Sequence, residues 1–169
     1  VLFYLLRRFV NELTLKEALL FATSGYATHA LLDACTTYGT QLFWPFTNFR
    51  AAWNLIGIVD PLYTLPLLVF VGLCFWTRVK KYAVIGLSLS LSYLCFGAIQ
   101  HFRAVQAVET LAESRGHKVE RVTAKPTILN LLVWRGIYLA DGVFYVDALR
   151  LYFASPTRYY PGDSRVHII

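Results

Sequence analysis

A histidine and an aspartate four residues apart, His29 and Asp33, are the residues of this chain best suited to chemistry. The segment around them is otherwise mostly apolar. On a helix this spacing puts both side chains on one face, with Cβ atoms about 5–6 Å apart. There, an imidazole and a carboxylate can hold one metal ion or orient each other. A polar pair in apolar surroundings is costly unless it is paired, metal-bound or hydrated, so the sequence predicts a functional site here.

A purely structural role is the alternative for this pair, since ion pairs without a function are common in soluble proteins. Within a membrane a functional role is favoured over a structural one, because ionisable groups there are functional by default. Thr36 and Thr37 follow directly and add hydroxyl groups to the same region.

The composition indicates a membrane protein: of 169 residues, 57% are hydrophobic and 15% are charged, and the mean hydropathy is +0.50. Soluble domains carry about 25% charged residues. A membrane helix needs about 20 apolar residues, and three segments approach that length: Leu15–Cys35, Leu55–Trp76 and Tyr82–Ile99. The expected fold is therefore a mainly α membrane protein, a polytopic helical bundle with three visible spans.

The short basic loops predict the orientation, because loops rich in Arg and Lys stay on the cytoplasmic side. We therefore expect a multi-pass protein in which His29, Asp33 and the chain beyond Arg103 lie on the outer face. The two basic clusters flank the first segment and form the turn between the last two, and they consist of Arg7, Arg8, Lys16, Arg78, Lys80 and Lys81.

The sequence begins at Val1 and contains no methionine, so we expect it to be a fragment with functional residues upstream. Its opening apolar run, Val1–Leu6, is too short to span a membrane and is interpreted as the end of a helix. Two parts are expected: a transmembrane domain over 1–103, truncated at its N-terminus, and a polar helix with a small β element over 104–169.

Beyond the apolar segments the pattern changes to a polar helix and then to β structure. The helix is predicted from Gln100 to Gly116, where glycine ends it. Asp141-Gly142 is a hairpin signal, and the tail from Ser155 is expected to be irregular. A small antiparallel sheet is predicted from segments rich in Val, Ile, Tyr and Phe: Val119–Thr123, Leu131–Leu139 and Phe144–Phe153.

The net charge of +6 does not require a nucleic-acid partner. Aromatic residues fall mostly in the predicted spans, and no Arg/Lys cluster is interleaved with exposed aromatics as in RNA-binding proteins. We expect membrane lipid and no nucleic acid among the partners. Cys35, Cys74 and Cys95 form no CxxC pair and are expected to be packing residues.

Two further residues have both a structural and a chemical interpretation. Asp60, which is followed by a proline, is a break and a helix-start signal, so the second span is expected to shorten to Pro61–Trp76. Asp60 also begins a span at the same face as the histidine and could supply a second carboxylate. Arg135 could pair with Asp141 or Asp147 across the hairpin. It could equally bind a phosphate or carboxylate of a substrate through its planar fork.

Several stretches resemble the family of predicted membrane-bound metal-dependent hydrolases of bacterial inner membranes. They are THALLDACTTYGTQLFWPF from Thr28 to Phe46, IVDPLYTLP from Ile58 to Pro66, Pro126–Asn130, LVWR ending at Arg135, and DGVFY from Asp141 to Tyr145. The resemblance implies a polytopic inner-membrane protein with a metal site formed by His29, Asp33 and Asp60. The family's Pro-Asp-x-Asp and Arg-x-x-x-His-Ser elements are absent, as expected if upstream sequence is missing.

The expected function is metal-dependent hydrolysis of an ester or phosphoester at the outer face of the membrane. Zn²⁺ or Mn²⁺ suits histidine, aspartate and hydroxyl donors, and such an ion lowers the pKa of a bound water to make a nucleophile. The candidate catalytic residues are Asp60 as general base and Thr37 and Arg135, with Tyr38, as groups that orient the substrate. The aromatic loop from Thr36 to Asn54 is expected to fold back over the membrane surface near His29, and a site under this loop favours a lipid-linked substrate. A non-enzymatic scaffold or transport component with a structural or proton-relay His–Asp pair is the alternative.

Overall fold

The computed structural model describes residues 14–128, 131–152 and 156–166, and within them the chain forms helices followed by short strands. The predictions for Val1–Leu6, Arg7 and Arg8 lie outside these residues. The helices are α1 (Leu15–Cys35), α2 (Pro61–Thr77) and α3 (Lys80–Ser114). The strands are β1 (Arg121–Pro126), β2 (Val133–Ala140), β3 (Val143–Arg150), β4 (Arg158–Tyr160) and β5 (Ser164–Val166).

The first two helices begin at side chains that cap their free N–H groups. Thr14 and Glu17 form a reciprocal capping box at the start of α1, in which the Glu17 carboxylate accepts from the Thr14 N–H at 2.8 Å. This contact lowers the pKa of the exposed Glu17 carboxyl. Asp60 caps α2 and Pro61 occupies its first position, which confirms the predicted break before this helix.

The predicted polytopic bundle with three spans is wrong for the described chain, which has one helix long and apolar enough to cross a membrane, α3. α2 has 17 residues and so rises about 26 Å, short of the roughly 30 Å hydrocarbon core. In α1 the apolar run is interrupted by polar residues at both ends, namely Lys16, Glu17, His29 and Asp33. The bounds expected for the second segment, Pro61–Trp76, agree with α2 to within one residue. The error was to count so short a helix, and α1, as spans.

α2 and α3 form a helical hairpin whose close contacts depend on glycine. A Cβ at Gly86 would lie 2.9 Å from the Phe70 Cβ, and one at Gly97 would lie 2.5 Å from the Leu55 carbonyl oxygen. These positions let α3 approach both α2 and the chain that precedes it. Many large apolar side chains of α2 and of the apolar part of α3 are exposed, as expected of a surface in contact with lipid.

α3 continues without a break from its apolar part into the polar helix predicted from Gln100. It ends in a Schellman motif, in which Gly116 N–H donates to the Glu113 carbonyl at 2.9 Å and His117 N–H to the Ala112 carbonyl at 3.0 Å. Gly116 has φ +74°, a conformation that glycine adopts without strain. The predicted end of this helix is confirmed.

The strands form an antiparallel sheet in the order β1-β2-β3-β4, with β5 also paired to β3. Asp141 and Gly142 join β2 to β3 with φ +49° and +71°, which confirms the predicted hairpin and is typical of a type I′ turn. The tail is less irregular than predicted, because β4 and β5 pair with the two halves of the free edge of β3.

One face of the sheet, which we call the inner face, packs against the C-terminal half of α3. Ala104, Val108 and Ala112 of α3 are buried there. Gly136 of β2 permits the approach, since a Cβ at that position would overlap the Val108 side chain. The large buried side chains of this core, Trp134, Tyr138 and Leu149, come from β2 and β3.

Hydrogen bonds from Gln100 and Arg103 fix the position of the sheet along the axis of α3. The fully buried Gln100 amide donates to the Leu131 carbonyl at 3.2 Å, and Arg103 Nη2 donates to the Tyr152 carbonyl at 2.6 Å. Both residues directly follow the apolar part of α3, which ends at Ile99. The end of the sheet at Pro126, Val133 and Arg150 is therefore the end nearer to the apolar part of α3, which we call the membrane-proximal end, and the hairpin turn lies at the distal end.

We expect α3 to cross the membrane, with its ends on opposite sides. Single cysteines introduced as Lys81→Cys and Lys118→Cys, with Cys35, Cys74 and Cys95 replaced by alanine, should react with a membrane-impermeant maleimide from opposite sides of sealed vesicles. Detergent-opened vesicles are the control, in which both positions should react. Reaction of both from the same side of intact vesicles would contradict the crossing.

Candidate functional site

His29 and Asp33 lie on one face of α1, as predicted. The His29 Nε2 and Asp33 Oδ2 atoms are 3.5 Å apart, and the side chains are 71% and 45% exposed. Neither ring nor carboxylate is enclosed by protein on all sides. The pair is therefore accessible to an ion or a substrate from the surface of α1.

An apolar cleft of about 530 Å³ lies beside His29, between α1 and the α2–α3 hairpin. Its walls include Leu32, Trp53, Tyr63 and Leu94. Most of the surface is hydrocarbon or aromatic, so it suits an apolar chain better than a soluble polar molecule. The imidazole of His29 stands at the edge of this cleft.

The loop between α1 and α2 folds back against the end of α1. Trp53 N–H donates to the Ala34 carbonyl at 2.7 Å and Leu55 N–H to the Cys35 carbonyl at 2.8 Å. Trp53 thereby reaches the cleft of His29, which confirms the predicted return of the loop. Besides Tyr38, four aromatic side chains of this loop are more than half exposed, as expected of a headgroup belt: Phe43, Trp44, Phe46 and Phe49.

Tyr38 contributes to the loop rather than to the His29–Asp33 pair. The Arg50 guanidinium lies 4.9 Å from the centre of the Tyr38 ring and donates to the Tyr38 carbonyl at 3.1 Å. The ring is two-thirds exposed. Its proposed part in orienting substrate stays a prediction.

Asp60 is buried, with only 4% of its surface exposed, and both of its carboxylate oxygens accept hydrogen bonds. Oδ1 accepts from the N–H groups of Leu62 and Tyr63 at 3.1 and 3.4 Å, and Oδ2 accepts from the Tyr93 hydroxyl at 2.8 Å. The carboxylate therefore joins the start of α2 to α3. Its predicted roles as third ligand or general base would require it to exchange at least one of these contacts.

Thr37 and Arg135, distant in sequence, line one cleft of about 480 Å³ together with Lys125. Lys125 lies directly opposite Arg135 in the β1–β2 register. The sequence prediction named Thr37 and Arg135 but missed Lys125, since only the register brings the second cation alongside. Thr37 is also close to the first pair, because four residues from Asp33 reach at most about 14 Å.

Arg135 does not pair with Asp147, one of the partners proposed from the sequence. Asp147 lies opposite Gly136 on the inner face, where Arg115 from the end of α3 binds both carboxylate oxygens at 2.7 and 3.0 Å. This contact, with a hydrogen bond to the Tyr138 hydroxyl, raises the pKa of the Arg115 guanidinium above its usual value. The arrangement is a bidentate tie between α3 and the sheet.

The distance between His29 and Asp33 suits a shared metal ion, but the two residues do not make up a full set of protein ligands. Zinc bonds of about 2.0–2.2 Å at a tetrahedral angle place two donor atoms about 3.4 Å apart, close to the observed 3.5 Å. Catalytic zinc sites use three protein ligands. Within the described residues no group of three or more His, Cys, Asp or Glu side chains is placed to hold an ion. The described residues therefore offer two possible donors, fewer than the three protein ligands of a catalytic zinc site.

The structural role of Asp60 predicts graded effects of substitution. Asp60→Ala should lose the cap and leave the Tyr93 hydroxyl without its acceptor, lowering the free energy of unfolding by about 2–4 kcal/mol. Asp60→Asn should lose about 1 kcal/mol or less, because asparagine caps a helix nearly as well. Chemical denaturation in mixed micelles measures both, with Tyr93→Phe as the control for the hydroxyl alone. Equal stability of Asp60→Ala and the parent chain would contradict this role.

Comparison with known proteins gives one family match. The model of the YdjM inner membrane protein family matches residues 1–104, which contain the His29–Asp33 pair, the α1–α2 loop and the apolar part of α3. The curated proteins and the solved structures gave no match. Because the family match covers more than half of the chain, the protein belongs to the YdjM inner membrane protein family.

Proposed function

We propose that this inner-membrane protein is a metal-dependent hydrolase that acts on an ester or phosphoester of a lipid-linked substrate at the outer membrane surface. The observation that carries the proposal is the His29–Asp33 pair, 3.5 Å apart beside an apolar cleft. A histidine and a carboxylate are donors that Zn²⁺ and Mn²⁺ accept. When bound, such an ion would supply Lewis-acid activation of water.

The surroundings of the pair favour an amphipathic substrate. The apolar cleft next to His29 suits an acyl or isoprenoid chain, whereas the cleft of Thr37, Lys125 and Arg135 suits an anionic group. Arginine presents parallel N–H donors that match the oxygens of a phosphate. Thr37 and Arg135 would hold the polar end of the substrate while the apolar cleft holds its chain.

Asp60 enters this proposal as a positioning residue. Its hydrogen bonds to the start of α2 and to Tyr93 hold the α2–α3 hairpin, which forms one side of the apolar cleft. Its service as a third ligand or as a general base stays a prediction. To bind a catalytic ion, His29 and Asp33 need at least one further ligand from the protein.

Metal analysis of the purified full chain, prepared without a polyhistidine tag, tests the proposal. The parent chain should retain about one Zn²⁺ or Mn²⁺ per molecule after dialysis, and His29→Ala and Asp33→Asn should each reduce retention at least tenfold, since each removes a ligand. His117→Ala, which removes an imidazole far from α1, is the matched control and should retain the ion. Equal metal content in all four proteins would show that His29 and Asp33 do not bind the ion and would contradict the proposal.

Hydrolysis is tested separately with three probes: phosphatidic acid, bis(p-nitrophenyl) phosphate and p-nitrophenyl butyrate. The parent chain should hydrolyse at least one of them with added Zn²⁺ or Mn²⁺, and His29→Ala should abolish this activity. Metal retention without turnover of any probe would favour the alternative, a scaffold or transport component in which the pair is structural or relays protons.

A further inference from the structure

Every lysine and arginine in the five strands lies on the outer face of the sheet, away from α3. Residues directly opposite in an antiparallel pair share a face, and the observed registers align the cationic positions with each other. The six residues are Arg121, Lys125, Arg135, Arg150, Arg158 and Arg165. The strand positions on this face carry no aspartate or glutamate in the described chain.

Four of these cations form two directly opposed pairs at the membrane-proximal end. Lys125 lies opposite Arg135, and Arg150 lies opposite Arg158. Opposed like charges have Cβ atoms about 4.5–5.5 Å apart and repel each other. Such an arrangement is relieved when an anion lies between or over the pairs.

Tyr152 keeps the second pair together. The Arg150 and Arg158 guanidinium carbons lie 5.1 and 5.9 Å from the centre of its ring, within the range of cation–π attraction. Both cations are thus held near one aromatic surface despite their repulsion. All four side chains of the two pairs remain exposed to solvent.

The position along α3 decides what anion is available. Leu131 and Tyr152 lie close to these pairs in the chain and are hydrogen-bonded to Gln100 and Arg103. Both partners are within four residues of Ile99, where the apolar part of α3 ends. One helical residue rises 1.5 Å, so the pairs lie within about a turn or two of the hydrocarbon boundary. Phospholipid phosphates occupy that level.

We propose that Lys125, Arg135, Arg150 and Arg158 bind the headgroup phosphates of anionic phospholipids in the membrane that α3 enters. The charge of the surface and its height above the apolar part of α3 both match this occupant. Arginine pairs with phosphate oxygens through two parallel N–H donors. Headgroup binding requires neither a metal at His29 nor hydrolysis, although it uses Arg135, which the proposed function also assigns to the polar end of a substrate.

Native mass spectrometry of the full chain in a neutral detergent tests the proposal. Phosphatidylglycerol should bind more tightly than phosphatidylcholine, and the double variant Lys125→Gln/Arg135→Gln should weaken phosphatidylglycerol binding roughly ten- to thirty-fold. Binding should also weaken as salt is raised. Equal affinity for the two lipids would overturn the proposal.

The double variant Arg121→Gln/Arg165→Gln is the matched control. It removes two positive charges from the same face, but at the distal end, and should change the affinity for phosphatidylglycerol less than three-fold. Equal losses in the two double variants would show attraction by net charge alone and would overturn the assignment to the proximal pairs.

Two further experiments distinguish lipid binding from binding of a soluble anion and from a loss of packing. Inorganic phosphate at millimolar concentration should not displace the lipid; if it does, the surface binds a soluble anion and the membrane assignment is wrong. The swapped variant Lys125→Arg/Arg135→Lys keeps both charges and should retain at least one-third of the parent affinity. A loss as large as that of the glutamine variant would mean that packing, rather than charge, was removed, which would also overturn the proposal.

Discussion

The hydrogen bonds of Gln100 and Arg103 set the relation between the membrane part and the sheet. Gln100 is fully buried and donates to the Leu131 carbonyl, which also accepts from Trp134 Nε1 at 2.9 Å. A buried amide without partners is costly, so α3 and the sheet are held at one height relative to each other. The height of the basic pairs along α3 and the shared cleft of Arg135 and Thr37 both depend on this junction.

Two carboxylates near the ends of neighbouring helices show how environment separates structural from chemical roles. Asp60 is buried, and its oxygens are occupied by the α2 cap and by Tyr93. Asp33 is about half exposed and faces an imidazole at the edge of an apolar cleft. The second arrangement leaves lone pairs available for an ion, which is why the proposed function rests on Asp33 and His29.

Features governed by local chemistry were predictable from the sequence, and those governed by long-range contacts were not. The Asp60 cap and the Asp141–Gly142 turn each depend on adjacent residues and were confirmed. The number of spans was wrong because apolar composition was counted as spanning capacity: α2 ends after 17 residues, and α3 alone among the described helices is long and apolar enough to cross a membrane. The strand β4 has three residues and forms only because β3 offers a free edge. Likewise, the partner of Asp147 lies 32 residues away, beyond any local pattern.

The central claim is that His29 binds a divalent ion, and electron spin-echo spectroscopy of the full chain loaded with Mn²⁺ tests it most directly. Coordination by an imidazole nitrogen couples that nucleus to the manganese electrons. The account predicts nitrogen modulation in the parent chain and its loss in His29→Ala, while His117→Ala retains it. Bound Mn²⁺ without nitrogen modulation in the parent chain, or modulation that persists in His29→Ala, would contradict the account.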